Sequence, residues 1–334
     1  MKKANVTKVA FLLAAGFLTS CVNDNLEEAS THETAGSGQL ISFSTSNVAT
    51  RATLATSVAD FKVYAYTGST TYINGEDYTN GDEGYTGNEY YWPTDGSLDF
   101  MAYSPMNAAG LTYSDKSITY TVPTTGQIDL LVSPLATKSK GESGTVNLAF
   151  QHVLSQVTFM ARIDATANYQ VTVNSITLKD VKKTGKLTEA GTGLTAEGDG
   201  TADYTLTASP AVVLETAASV IKAGEDDNLL VVPQTFGGDD TTAKLVANIT
   251  IKDKDGLAEI KTKNVYLSLK GLTWAAGKKQ VYTMIFGDTD TSHGGSGTGL
   301  GTDENGTPET IGTVVGFTTS VERWGEGETK ELTF

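Results

Sequence analysis

A chain of 334 residues has room for about two domains, and its 39% hydrophobic and 19% charged side chains can build real cores, which excludes wholesale disorder. The formal net charge of −15 excludes a nucleic-acid backbone as partner, because phosphate binding needs clustered Lys and Arg. One Cys and three His allow no intramolecular disulfide and no Cys-held zinc or iron–sulfur centre, so a binding or structural protein fits better than an enzyme.

The first twenty residues have the layout of a secretory signal, with Lys2, Lys3 and Lys8 ahead of an apolar run from Val9 to Leu18. That run is about half the length an α-helix needs to cross a bilayer core. Leu18-Thr19-Ser20-Cys21 resembles the lipobox of bacterial lipoproteins, in which the Cys is lipid-modified and becomes the first residue of the mature chain. Removal of residues 1–20 takes away three of the 24 basic residues and none of the 39 acidic ones, leaving a net charge of −18. Several acyl chains on Cys21 give stable membrane anchoring without a spanning helix, at about 0.8 kcal/mol per buried methylene. Residues 21–38 are polar, acidic and without apolar periodicity, and read as a flexible tether that includes His32.

From residue 39 the sequence alternates apolar and polar positions in short runs, which predicts strands. In a first domain, 39–143, they cover 41–44, 61–66, 98–103, 118–122 and 128–132, with residues 67–87 as a long exposed loop rich in Gly, Thr, Asn, Asp and Tyr. Residues 138–144 (KSKGESG) have linker composition and set the boundary. In a second domain, 144–334, runs at 146–150, 155–163, 169–178, 204–207, 229–232, 244–251, 260–269 and 281–286 follow, with turn dipeptides and no helix of crossover length between them. The expectation is an all-β chain of two antiparallel β-sandwich domains. After the Gly- and Ser-rich stretch 287–309, residues 311–321 resume a strand pattern with Val315, Phe317 and Val321 on one parity. Such a strand, within 311–334, is a candidate donor to the sheet of another chain.

Eight stretches, taken together in order and spacing, resemble the fimbrillin family of type V pilus subunit precursors and their accessory and tip proteins. They are LTSC (18–21), ISFSTSNVATRA (41–52), YWPTDGSLDFMAYSP (91–105), QIDLLVSP (127–134), LAFQHVLSQVTF (148–159), VVPQ (231–234), LTWAAGKKQVYTMIF (272–286) and VERWGEGE (321–328). The resemblance implies two transthyretin-like β-sandwiches, lipidation at Cys21, surface display at the outer membrane and a role in fimbriae and cell adhesion. It also implies a cut after an Arg, matched here by Arg51 with Ala52 as the new N-terminus. Loss of the first strand then opens a groove that a strand of a neighbouring subunit fills.

The remaining chemistry-bearing residues read as structural. His152 is expected to pack or hydrogen-bond, since no Cys partner exists. Trp92, Trp274 and Trp324 read as core or rim aromatics. Phosphate-loop, nucleophile-elbow and zinc-protease motifs are missing, and the acidic runs at 253–256 and 303–306 lack the spacing of a calcium loop. No metal or cofactor is therefore expected. Lys179, Lys182, Lys183 and Lys186 form a basic cluster read as a solvated face. The alternative to a polymerising subunit is a surface lipoprotein that binds glycans, with Tyr85, Tyr90 and Tyr91 stacking on sugar rings.

Overall fold

The computed structural model describes residues 38–287, apart from 47, 50–53, 56–57, 142–143, 190, 225–226 and 238–241, together with the backbone of a strand at 315–323. The described residues form strands and turns without a helix. In chain order the strands are β1 (Ser42–Ser46), β2 (Val48–Ala49), β3 (Leu54–Ala55), β4 (Asp60–Thr67), β5 (Thr70–Gly81), β6 (Gly84–Thr86), β7 (Ser97–Ser104), β8 (Leu111–Ser114), β9 (Ser117–Thr121), β10 (Leu131–Ser139), β11 (Thr145–Ala149) and β12 (Gln151–His152). They continue as β13 (Ser155–Ile163), β14 (Tyr169–Lys182), β15 (Thr184–Leu187), β16 (Thr195–Ala196), β17 (Thr201–Val213), β18 (Ser219–Val220), β19 (Asn228–Val231), β20 (Gln234–Thr235), β21 (Lys244–Asp253), β22 (Glu259–Ser268), β23 (Thr273–Trp274), β24 (Lys278–Phe286) and β25 (Val315–Arg323).

Sandwich packing follows from which face of each strand is apolar. In the four-stranded sheet β17-β14-β21-β22, one row holds Val171, Val173, Ile176 and Leu178 with Leu245, Ala247, Ile249, Val265 and Leu267. These join Phe159, Ala161, Tyr282, Met284 and Phe286 from the sheet β18-β13-β24-β25 in one apolar cluster. Each fully buried Val, Leu, Ile, Phe or Met among them contributes roughly 1.5–3 kcal/mol. A second cluster gathers Ile41, Phe43, Phe61, Tyr78, Trp92, Phe100, Val146, Leu148 and Phe150.

The sheet β12-β10-β7-β4-β5-β6 lies between the two clusters. Leu98, Phe100 and Ala102 of β7 belong to the second cluster, while Met101 and Tyr103 belong to the first. Burial on both faces explains why 98–103 reads as a nearly continuous apolar run. Strand pairs also cross the expected boundary at 143/144: β1 pairs with β11, and β9 pairs with β15. Both clusters lie within one compact unit, Gly38–Phe334.

Two expectations need correction. Residues 67–87 are a hairpin rather than a loop, because β5 pairs along β4 and then turns into β6. Register shifts after Val63 and Ala65 interrupt the period of two, which hid the strand. Gly75 sits at the first shift with φ 72°, where an added Cβ would lie 3.0 Å from the Tyr64 ring. Pairing is antiparallel for most strands, but β1–β11 and β13–β24 are parallel. Their connections run over residues 47–144 and 164–277 and carry several strands of other sheets, so no crossover helix is needed.

Candidate functional site

The sequence ISFSTS makes β1 a short alternating strand with Ile41 and Phe43 buried and the serines outward. Along one side it pairs in parallel with β11, from Ser42 opposite Thr145 to Ser46 opposite Ala149. Side chains tie the same pair, with Ser42 Oγ 2.8 Å from Thr145 Oγ1 and Ser46 Oγ donating to Asn147 Oδ1 at 2.9 Å. At its start, Ile41 N–H donates to the Tyr90 carbonyl at 2.8 Å, and Trp92 N–H donates to the Gln39 carbonyl at 2.9 Å.

Phe43 fills the floor beneath this strand. Its ring meets Phe61, Tyr78 and Phe100 edge-on, at centroid distances of 5.6, 4.8 and 5.9 Å. These three rings come from β4, β5 and β7, and each is at least 96% buried. Without β1 they would form an apolar groove, walled by Val146 and Leu148 of β11. Phe61 and Phe100 stand in strands legible from sequence, whereas Tyr78 falls in the stretch read as a loop.

The hydroxyls around the groove are already engaged. Tyr85 accepts from Val58 N–H at 3.0 Å and donates to the Val58 carbonyl at 2.8 Å. Tyr90 donates to Glu76 Oε1 at 3.0 Å, and burial followed by this carboxylate pushes its phenol up to about 12. Tyr91 donates to Glu89 Oε2 at 3.0 Å. Tyr78 donates to the Asn88 carbonyl, and burial raises its phenol well above the usual value. Tyr85 and Tyr90 therefore pack against the second cluster with their hydroxyls bound within the chain.

The other expected site residues divide between described and undescribed positions. Cys21, Arg51, Ala52, His32 and Trp324 lie outside the described residues. The strands on either side of Arg51, β2 and β3, pair antiparallel. Val315, Phe317 and Val321 fall in β25, an edge strand that pairs antiparallel with this chain's own β24, opposite Phe286, Met284 and Gln280. His152 is buried and faces the Asp129 carboxylate, with Nδ1 3.1 Å from Oδ1 and 2.8 Å from Oδ2. Trp274 is buried and donates to the Tyr282 hydroxyl at 2.8 Å. Among the described residues no group of three His, Cys, Asp or Glu is placed to hold a metal.

This arrangement defines an all-β sandwich protein whose first strand completes one core and whose last described strand lies on a sheet edge beside the other. The chain belongs to the fimbrillin-like family, whose sequence pattern matches residues 49–299. That membership supports a structural role in fimbriae or adhesion, at the cell surface and in association with other fimbrial subunits, rather than an enzymatic one.

Solved structures share the fold. A fimbrial protein from Bacteroides vulgatus is 15% identical with a TM-score of 0.56, over 86% of this chain and 99% of that one. A candidate cell adhesion protein from Parabacteroides distasonis is 12% identical with a TM-score of 0.52, over 88% and 99%. Another from Bacteroides uniformis is 18% identical with a TM-score of 0.51, over 86% and 98%. No curated protein matches this chain.

Proposed function

We propose that this protein is a lipid-anchored precursor of a fimbrial subunit, or an accessory or tip protein, held to the outer membrane through Cys21 and assembled by strand exchange after cleavage between Arg51 and Ala52. The observation that carries the reading is Phe43. A single short strand places this ring on three buried aromatic rings, so its departure would expose a ready apolar groove. A cut at Arg51 falls five residues beyond the end of β1 and separates that strand from the rest of the chain.

An incoming strand would meet main-chain hydrogen-bonding groups along β11 and pockets for alternate side chains. The segment 311–334, with Val315, Phe317 and Val321 on one parity, has that pattern and is the proposed donor. In the uncut chain β25 is satisfied by its own β24, which suits a subunit stored as a monomer until processed. Other fimbrial subunits are its partners in this reading, and no cofactor enters the assembly.

The test is N-terminal sequencing and intact-mass analysis of membrane-purified protein before and after an Arg-specific protease. A new terminus at Ala52 with denaturation-resistant ladders, lost on deletion of residues 311–334, is the expected result. A lipidated chain that resists cleavage at Arg51 and stays monomeric would overturn the exchange mechanism. Unchanged ladders after the deletion would overturn the donor assignment.

A further inference from the structure

The sheet β17-β14-β21-β22 turns one face to the first cluster and carries a polar face on the other side. Across that polar face the strands align like side chains in rows. Asn174 Nδ2 donates to Asn248 Oδ1 at 2.9 Å, and Asn248 Nδ2 donates to Asn264 Oδ1 at 2.7 Å, so three amides point one way across β14, β21 and β22. Thr177 and Thr205 form a neighbouring pair at 2.9 Å, as do Thr250 and Thr262. The ladder uses the carboxamide oxygen of the exposed Asn264 and leaves its NH2 group outside the ladder.

A shallow depression of about 290 Å³ lies on this face. It is lined by Ser175, Thr177, Lys179, Val246, Tyr266 and the two asparagines Asn248 and Asn264. Lys179 is directly opposite Lys244 in the β14–β21 register. Like charges directly opposite on neighbouring strands are destabilising. Here the pairing occurs in a chain with 39 acidic residues and only 24 basic ones. Lys244 also lies over the Tyr266 ring, 5.7 Å from its centroid. The carboxylate of Asp203, on β17 near Lys179, accepts the Asp180 main-chain N–H at 2.9 Å.

We propose that this sheet face binds an acidic oligosaccharide, with sugar carboxylates between Lys179 and Lys244 and a sugar ring against Tyr266. Two adjacent lysines on one sheet face complement an anion. Rows of fixed amides and hydroxyls match a hydroxyl-rich polymer. A peptide strand, by contrast, would seek the main-chain groups of a sheet edge, which this face lacks. An open, shallow surface gives weak affinity per copy, which repetition along a fimbria would multiply.

The test measures binding of a galacturonic acid hexamer to the uncut monomeric chain by calorimetry, with maltohexaose and a hexaglutamate peptide as comparators. Because the protein is uncut, the result is independent of strand exchange. Binding of the uronate alone is expected, weakening as salt rises. Lys179→Gln/Lys244→Gln should lose about tenfold or more in affinity, and Tyr266→Ala should weaken binding with an unchanged salt dependence. Lys179→Gln alone should fall between. Three results would overturn the proposal: no uronate binding, equal binding of hexaglutamate or maltohexaose, or undiminished affinity in the double lysine variant.

Discussion

Trp92 and Gly144 are joined by a hydrogen bond of 2.9 Å from the indole N–H to the glycine carbonyl. The same carbonyl accepts the Ser42 N–H at 3.4 Å, so one oxygen connects the second apolar cluster to the opening residue of β1. Gly144 is left-handed, with φ 69°, and a Cβ built there would stand 2.5 Å from the Leu40 carbonyl oxygen.

Gly144→Ala should therefore destabilise the chain by about 1–3 kcal/mol, because the backbone strain coincides with a clash against main chain that has no rotamer to change. Urea denaturation measures this. A loss below about 0.5 kcal/mol would mean that the β1 entry is not fixed at this glycine.

Phe43→Ala should cost about 3–5 kcal/mol, since Phe61, Tyr78 and Phe100 would be left facing a cavity. Ser44→Ala, one residue on and outside the core row, should stay within about 0.5 kcal/mol. The contrast between the two midpoints separates plugging by Phe43 from a general effect on β1.

Stability should fall in alkali. Burial pushes Tyr120 and Tyr169 up to about 12, with Asp129 and Asp164 adding repulsion, and Tyr90 reaches about 12 in the same way beside Glu76. Burial also raises Tyr204 and Tyr282 well above the ordinary value. An unfolded tyrosine ionises near 10. The stabilisation is thus complete below pH about 10 and is lost as the pH rises through the folded values, because only the unfolded chain releases those protons. Phenolate absorbance should show native tyrosines titrating later than those of the denatured chain, and coincident curves would contradict the prediction.

Lys263 lies on β22 opposite Ile249, in the same row as Val265 and Leu267, and is 8% exposed. A charge on the inner row of an edge strand discourages another sheet from pairing there. Lys263→Leu should promote concentration-dependent association, read by light scattering. A variant that remains monomeric at every concentration would show that this lysine does not guard the edge.

Much of the framework was legible because local alternation marks it: Phe61, Val63 and Ala65 in β4, and Ile118 and Tyr120 in β9, are buried as their period of two requires. The β5 strand was not, because the register shifts near Tyr64 and Tyr66 place Ile73 and Tyr78 five positions apart. Ile41 and Phe43 were readable as strand residues, but nothing local indicates that they pair with residues 145–149. The Asn174, Asn248 and Asn264 row is equally invisible in sequence, since each strand supplies one ordinary polar position and only the sheet aligns them. Lys179 read as part of a basic cluster with Lys182, Lys183 and Lys186, yet Lys182 and Lys186 face Asp199 and Glu197 while Lys179 is set against Lys244.

The parallel pairing of β1 with β11 also sets a clock. Ser42 leaves the ribosome 103 residues before Thr145, its partner in the register. During that interval the first strand to be made has no β11 to pair with, and Phe61 and Phe100 are made before the strand that will wall their pocket. The first described strand is thus among the last to be secured, which gives any factor that recognises an extended, serine-rich strand its opportunity before the fold closes.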